Sequence, residues 1–321
     1  MTKLIAEFCQ NHNGEFETLK QMIYAAAESG ATHGKMQTIF ADTVSYRPQF
    51  EEGLVVDGIV KSIKRPYKDE YQRLKALEIS DSQTTEFIKL CKQSGLIPMT
   101  TCFVRRDVNH LKDLGFKSIK IASYDCASFP LIKEISNKFD EIIISTGATF
   151  DEEIIHTARI LKETDFSFLH CVTIYPTPLE KMNLARMSWL RKYTASVGFS
   201  DHSSITDTGN IASLAALTLG AEIIERHFTI LPRTDTRDGP VSIDAEMLME
   251  LKDFSSLSQN DKYDFMDKKY PEWKVSIGQE TRDLSHSELL NRDYYRGRFA
   301  SPRVKLNSPQ TMIYNWEETP L

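Results

Sequence analysis

The stretch DSQTTEFIKLCKQSGLIPMTTCF, residues 81–103, carries one complete helix-to-strand unit. An amphipathic period runs over 81–94, with Ser80 or Asp81 placed to cap its first turn. Gly95 then stops the helix, because glycine takes the left-handed conformation that turns a chain out of its last helical turn. A short apolar run at 97–103 follows and reads as a buried strand.

The same unit repeats along the chain in both directions. Strand candidates fall at 4–9, 33–38, 97–103, 118–123, 141–146, 167–172, 195–201 and 222–229. Amphipathic segments stand between them at about 18–29, 81–94, 105–114, 130–138, 151–162, 183–193 and 206–219, with another at 244–257. Gly30, Gly115 and Gly220 repeat the stop of Gly95, and Thr149 or Asp151 repeats the start. Eight strand–helix units in series are the count of an α/β TIM (β/α)8 barrel, with a doubly wound open sheet as the competing arrangement. Residues 39–80 interrupt the repeat as a charged and aromatic insertion with one short helix near 67–77. The barrel is expected over 1–258, with 259–321 forming a polar linker and a C-terminal tail without strong period.

Composition narrows the class. The 321 residues are 41% hydrophobic and 26% charged, those of an ordinary globular chain. Thirty-nine Lys+Arg against 45 Asp+Glu give a net charge of −6, with no overall pull toward nucleic acid or anionic membrane. An anionic ligand therefore needs a local cationic cluster. Five scattered cysteines with no CxxC pair fit reduced thiols in a cytoplasmic protein, and no apolar run is long enough to span a bilayer.

In a barrel of this kind the chemistry sits where the strands end. Glu7, Lys35, Gln37, Thr101, Lys120, Ser123, Asp125, Ser145, Thr173, Tyr175, Ser200, His202, Glu225 and His227 all fall at such ends. Lys35 and Lys120 lie inside apolar strands, where a lysine is tolerated only if it meets an anion or a partner carboxylate. With Thr101, Ser123, Ser145 and Ser200 around them they make a phosphate or carboxylate pocket; the alternative is structural pairing with Glu7 or Glu225. His202 and His227 close adjacent strands and suit a first-row divalent ion, the alternative being hydrogen-bonded structural histidines. His12 and His170 are weaker candidates.

Ile5-Ala6-Glu7, Asn11-His12-Asn13-Gly14, Gly34-Lys35-Met36-Gln37-Thr38 and Ile119-Lys120-Ile121-Ala122-Ser123 stand in that order. Ser145-Thr146-Gly147, Tyr175-Pro176-Thr177-Pro178, Gly198-Phe199-Ser200-Asp201-His202 and Glu225-Arg226-His227-Phe228-Thr229 continue the series. Together, over about residues 4–257, they resemble the sialic acid synthase family. The resemblance implies condensation of phosphoenolpyruvate with an aldose or N-acyl aminosugar to a 3-deoxy-2-ulosonic acid and phosphate, for surface polysaccharide or glycan biosynthesis. It implies a divalent metal, Mn²⁺ or Mg²⁺, on His202 and His227, acting as a Lewis acid on the sugar aldehyde. Lys35, Gln37, Thr101, Lys120, Ser123, Ser145 and Ser200 would hold phosphoenolpyruvate, and Glu7 would move a proton. Asp125, Thr173, Tyr175 and Asp238 would meet the sugar, Asp125 also as a catalytic group. A homodimer is implied as well.

Three departures fall on the sugar side. Asp125 stands where the family usually has Glu, Thr173 where it has Asn, and Asp238 precedes Pro240 instead of following it. The chemistry is expected to be retained with an altered acceptor. Ile277-Gly278 and the stretch from Ser285 to Ser301 resemble the linker into the family's C-terminal antifreeze-like domain, which is itself expected to be lacking; Arg298 or Arg303 could stand in for the Arg that domain supplies. Two rival readings are a metal-dependent pyruvate aldolase or lyase and a catalytically inactive subunit of an assembly.

Overall fold

The computed structural model describes residues 2–303 and 311–321. Eight parallel strands, Lys3–Cys9, His33–Gln37, Ile97–Thr101, Ser118–Ile121, Glu141–Ser145, Phe166–His170, Ser196–Asp201 and Ile223–His227, close into a barrel. Closure is direct: Ala6 of the first strand is level with Gly34 of the second on one side and with Arg226 of the eighth on the other. An open sheet would leave the first strand without one of those neighbours.

Strand alternation sorts the side chains into two populations. Outward residues such as Leu4, Ala6, Phe8, Ile119, Ile121, Phe168 and Phe199 join the helices in one core. Inward, Ile5, Met99, Ile143, Leu169 and Ile223 form an apolar layer that plugs the barrel. Two residues further along the same face come Glu7, Thr101, Ser145, Cys171 and Glu225. The period of two thus converts a plugged barrel into a polar floor at its C-terminal end.

The helix ends follow their signals. Gly30, Gly95, Gly115 and Gly220 all have positive φ, from 80° to 105°. Ser80 caps Asp81–Gln93, its Oγ accepting the Gln83 N–H at 3.3 Å while Gln83 Oε1 accepts the Ser80 N–H at 2.9 Å. At Asp151–Ile160 the start differs from expectation: Thr149 spends its hydroxyl on the Ser123 and Gly147 carbonyls, and Glu153 accepts the Phe150 N–H at 2.9 Å. The single helix read over 206–219 is two, Ile205–Thr208 and Ile211–Thr218, parted at Gly209 with φ +53°.

The insertion holds its helix, Tyr67–Lys75, and also a hairpin, Leu54–Val56 with Ile59–Ser62. Asp57 and Gly58 turn it, both at positive φ, which is the Asp-Gly turn chemistry of a tight hairpin. The segment expected to be linker and tail is instead folded onto the barrel. Helices Gln259–Lys269 and His286–Tyr295 flank a 3-10 stretch, Pro271–Ser276, whose Trp273 is 1% exposed within the main core. Asn291 donates to the Thr173 carbonyl at 2.8 Å, and Arg292 donates to Ala148 O at 2.6 Å and pairs with Glu153 at 2.5 Å, so the second helix sits over the barrel mouth.

Candidate active site at the barrel mouth

A cavity of about 410 Å³ opens at the C-terminal end of the barrel. Every residue singled out above for catalysis, phosphoenolpyruvate, sugar or metal lines it. His12 and His170 do not. His170 Nε2 meets the Met182 carbonyl at 2.6 Å, burial pushes its pKa down to about 3, and His12 Nδ1 accepts the Gly14 N–H.

Both lysines of the floor are buried. Lys35 makes a very short ion pair with Glu7 and lies 3.4 Å from Glu225, with the Thr101 hydroxyl at 3.3 Å. Lys120 donates to Ser145 Oγ at 2.6 Å and to the Ile121 carbonyl at 3.1 Å, while its nearest carboxylate, Glu225, is 3.9 Å away. Structural pairing is therefore realised at Lys35, whereas the short bonds of Lys120 go to neutral groups. Burial lowers the Lys35 pKa to about 8, the Lys120 charge adding to the effect and Glu225 opposing it. Burial also disfavours the Glu225 carboxylate, but Lys120, Lys35 and the Ser200 hydroxyl at 2.9 Å outweigh it and hold its pKa low. Two lysines against Glu7 and Glu225 make the floor formally neutral. Holding a multiply charged anion there calls for further positive charge, and Arg65, Arg73, Arg237 and Arg298 stand along the cavity wall. Arg73 and Arg298 share Glu70.

Ser123 accepts the Gly147 N–H at 3.2 Å and lies 3.0 Å from the Cys171 thiol. Gln37 Oε1 is 3.5 Å from the Gln10 amide, and Gln10 is gripped by Arg73 at 2.5 Å. Asp125 faces the cavity but spends Oδ1 on Ser128 and on Asn315, each at 2.9 Å; burial raises its pKa to about 6. The carboxylate expected at the sugar thus also ties the C-terminal segment to the fourth strand.

His202 and His227 lie with ring centroids 5.5 Å apart. His202 Nδ1 is 3.2 Å from the Val172 carbonyl, a bond that assigns its proton and turns Nε2 into the cavity, where the Tyr175 hydroxyl meets it at 2.9 Å. Burial brings the His202 pKa to about 3 and lowers that of His227. His227 Nδ1 is buried without a hydrogen-bond partner and faces Asp238 at 3.8 Å. Both rings are neutral near pH 7, the state in which imidazole can bind a cation, so the donors suit a divalent ion. Asp238 is thereby on the histidine side of the cavity.

Cys9, Asn291 and Tyr295 line the cavity too and were not expected there. Cys9 follows Glu7 by two on an inward face, the signal that alternation offers. Asn291 and Tyr295 are four apart on a helix opened by Ser285-His286-Ser287-Glu288, a capping-box pattern within the segment that lacks an apolar period. Arg298 reaches the cavity in the same chain, and Arg303 is exposed.

Comparison with known proteins identifies the family and the fold. The sequence profile of the NeuB family matches residues 22–260. The pseudaminic acid synthase of Campylobacter jejuni is 29% identical over 306 residues, covering 94% of this chain and 82% of the relative. The N,N'-diacetyllegionaminic acid synthase of the same species is 31% identical over 264 residues, covering 78% and 74%. In fold, the structure of the N-acetylneuraminic acid (sialic acid) synthetase of Leptospira borgpetersenii superposes with a TM-score of 0.68 at 24% identity, covering 91% of this chain and 90% of that one. The chain belongs to the NeuB family.

Proposed function

We propose that this protein condenses phosphoenolpyruvate with an aldose or N-acyl aminosugar, giving a 3-deoxy-2-ulosonic acid of the nonulosonate type and inorganic phosphate. The observation that carries the reading is Lys120: a buried ammonium whose short bonds go to neutral groups, facing a cavity lined with hydroxyls. In this reading Lys120, Lys35, Thr101, Ser123, Ser145 and Ser200 hold the phosphate and carboxylate, with Gln37 beside them. C3 of the enol bonds to the aldehyde carbon, whose oxygen gains a proton. Water adds to C2, and the C2–O bond to phosphate breaks. Glu7, held by Lys35 and by the Cys9 N–H at 2.7 Å, is placed to take the proton from that water. Thr173, Tyr175, Asn291 and the wall arginines border the space left for the acceptor.

A divalent ion is part of the same proposal, with His202 and His227 among its donors. When bound it would polarise the acceptor carbonyl and supply the positive charge that the neutral floor lacks. A homodimer in the cytoplasm completes the reading, in keeping with five buried free cysteines. Among the described residues no helix is long and apolar enough to cross a membrane.

The test is phosphate release from phosphoenolpyruvate with Mn²⁺ and a panel of aldoses and N-acyl aminosugars, followed by mass spectrometry of the product. One acceptor should give stoichiometric phosphate and a product heavier by the pyruvyl unit. Lys120→Met should then raise KM for phosphoenolpyruvate about 10- to 100-fold, the worth of one hydrogen bond to a charged group. No release with any acceptor would overturn the assignment.

A further inference from the structure

Cys9 ends the first strand just past a break in its register with the second, between Glu7 and Cys9. Its φ is +46°, a conformation that a side chain other than Gly or Asn seldom adopts, and it is 5% exposed. The irregularity aims its thiol into the cavity, toward the loop after the eighth strand. There the Cys9 Sγ, a ring nitrogen of His227 and a carboxylate oxygen of Asp238 all lie within 4.8 Å of one another. His227 Nδ1 is buried, faces this group and has no hydrogen-bond partner. A buried donor or acceptor left unpaired is costly, and a cation among these three groups would satisfy it.

We propose that Cys9, His227 and Asp238 together bind the divalent cation, making this a mixed thiolate–imidazole–carboxylate centre. The inference rests on the reading above only in placing a divalent ion at this end of the barrel. It changes what that ion is. Hard Mg²⁺ prefers oxygen ligands, whereas a thiolate beside an imidazole selects Zn²⁺, Fe²⁺ or Co²⁺. Bond lengths of about 2.0–2.3 Å to nitrogen, oxygen and sulfur bring ligand atoms to about 3.4 Å from one another, so the three groups close in modestly on binding. The Cys9 thiol gives up its proton to solvent as the metal–sulfur bond forms, with no change of oxidation state. His202, its Nε2 bonded to the Tyr175 hydroxyl and its ring centroid 5.5 Å from that of His227, remains a further donor to the same ion.

Cobalt tests the assignment without reference to catalysis. The purified full-length chain, freed of metal by a chelator, is titrated with CoCl₂ in the absence of thiol reductants and followed by absorption and calorimetry. A near-ultraviolet thiolate-to-cobalt charge-transfer band should rise to saturation at one equivalent. Cys9→Gly should abolish the band and weaken cobalt binding about a hundredfold. Glycine is at ease at that φ, so the variant should unfold at the same temperature as the parent or higher. Cys171→Ser, which removes the other cavity thiol, should keep the band. Cobalt binding without the band, a band that survives Cys9→Gly, or no cobalt binding would each overturn the proposal. Phosphate release, measured separately, decides the synthase reading: activity without the band sinks only the cysteine ligand, and the band without activity sinks only the reaction.

Discussion

Asp125 shows how one residue can serve two demands. It borders the cavity, yet its Oδ1 accepts from Ser128 and from Asn315 of the C-terminal segment. Burial raises its pKa to about 6 from an ordinary 3.8. Between those values the folded state holds the proton that the unfolded state has released. Stability therefore falls as pH rises from about 4 through about 6, by at most about 3 kcal/mol, and levels off above. Asp125→Asn keeps an acceptor for Ser128 and Asn315 but has no charge to bury. Urea unfolding should find the variant more stable than the parent at pH 7, on the order of 2 kcal/mol, with the difference closing toward pH 4. Parallel pH profiles would mean that the carboxyl titrates normally. The sequence showed that Asp125 stands at a strand end; its bond to Asn315, 190 residues away, was not in any local pattern.

At the scale of elements, the helix His286–Tyr295 matters most. It has no place in the eightfold repeat, yet it brings Asn291 and Tyr295 to the cavity. Arg292 is one of its anchors to the barrel: its guanidinium meets Ala148 O and Glu153 and lies over the Phe150 ring at 4.8 Å, beside the Asn291 bond to Thr173 O and the Tyr295 stack on Tyr124. Arg292 itself is outside the cavity lining. Arg292→Ala should loosen the helix, raising KM for the acceptor about tenfold while KM for phosphoenolpyruvate changes little, because the floor is built from the strands. Equal changes in both constants would show that the helix does not border the acceptor alone. Periodicity misses such an element because the helix packs through charged and polar bonds as much as through an apolar face. The hairpin at 54–62 was likewise missed. There the cue was present: Asp57-Gly58 between apolar residues is a strong short-range hairpin signal.

For the whole molecule, that hairpin is also the largest cluster of exposed apolar residues among those described. Val55 is 62% exposed and Ile59 50%, with Leu54, Val56 and Val60 beside them. Apolar residues exposed on both faces of a hairpin commonly mark a contact surface, and the proposed homodimer gives them a second copy of the chain as occupant. Sedimentation velocity should find a dimer that Val55→Asp with Ile59→Asp converts to monomer without lowering the unfolding temperature. A dimer that persists in the double variant would place the interface elsewhere.

Sequence alone determined the eight strands, the helix-stopping glycines and the rim that carries Glu7, Lys35, Lys120, His202 and His227. It could do so because strand alternation, helix period and glycine's left-handed turn are local properties of the chain. The tertiary structure alone decided that Lys35 is paired with Glu7 while Lys120 is not matched closely by any carboxylate, that Asp238 stands beside His227 and Cys9, and that the C-terminal segment covers the mouth. The Lys35–Glu7 pair forms between neighbouring strands 28 residues apart, whereas the meeting of Cys9 with His227 and Asp238 depends on closing the barrel, which brings residues more than 200 apart side by side; no local pattern encodes either contact.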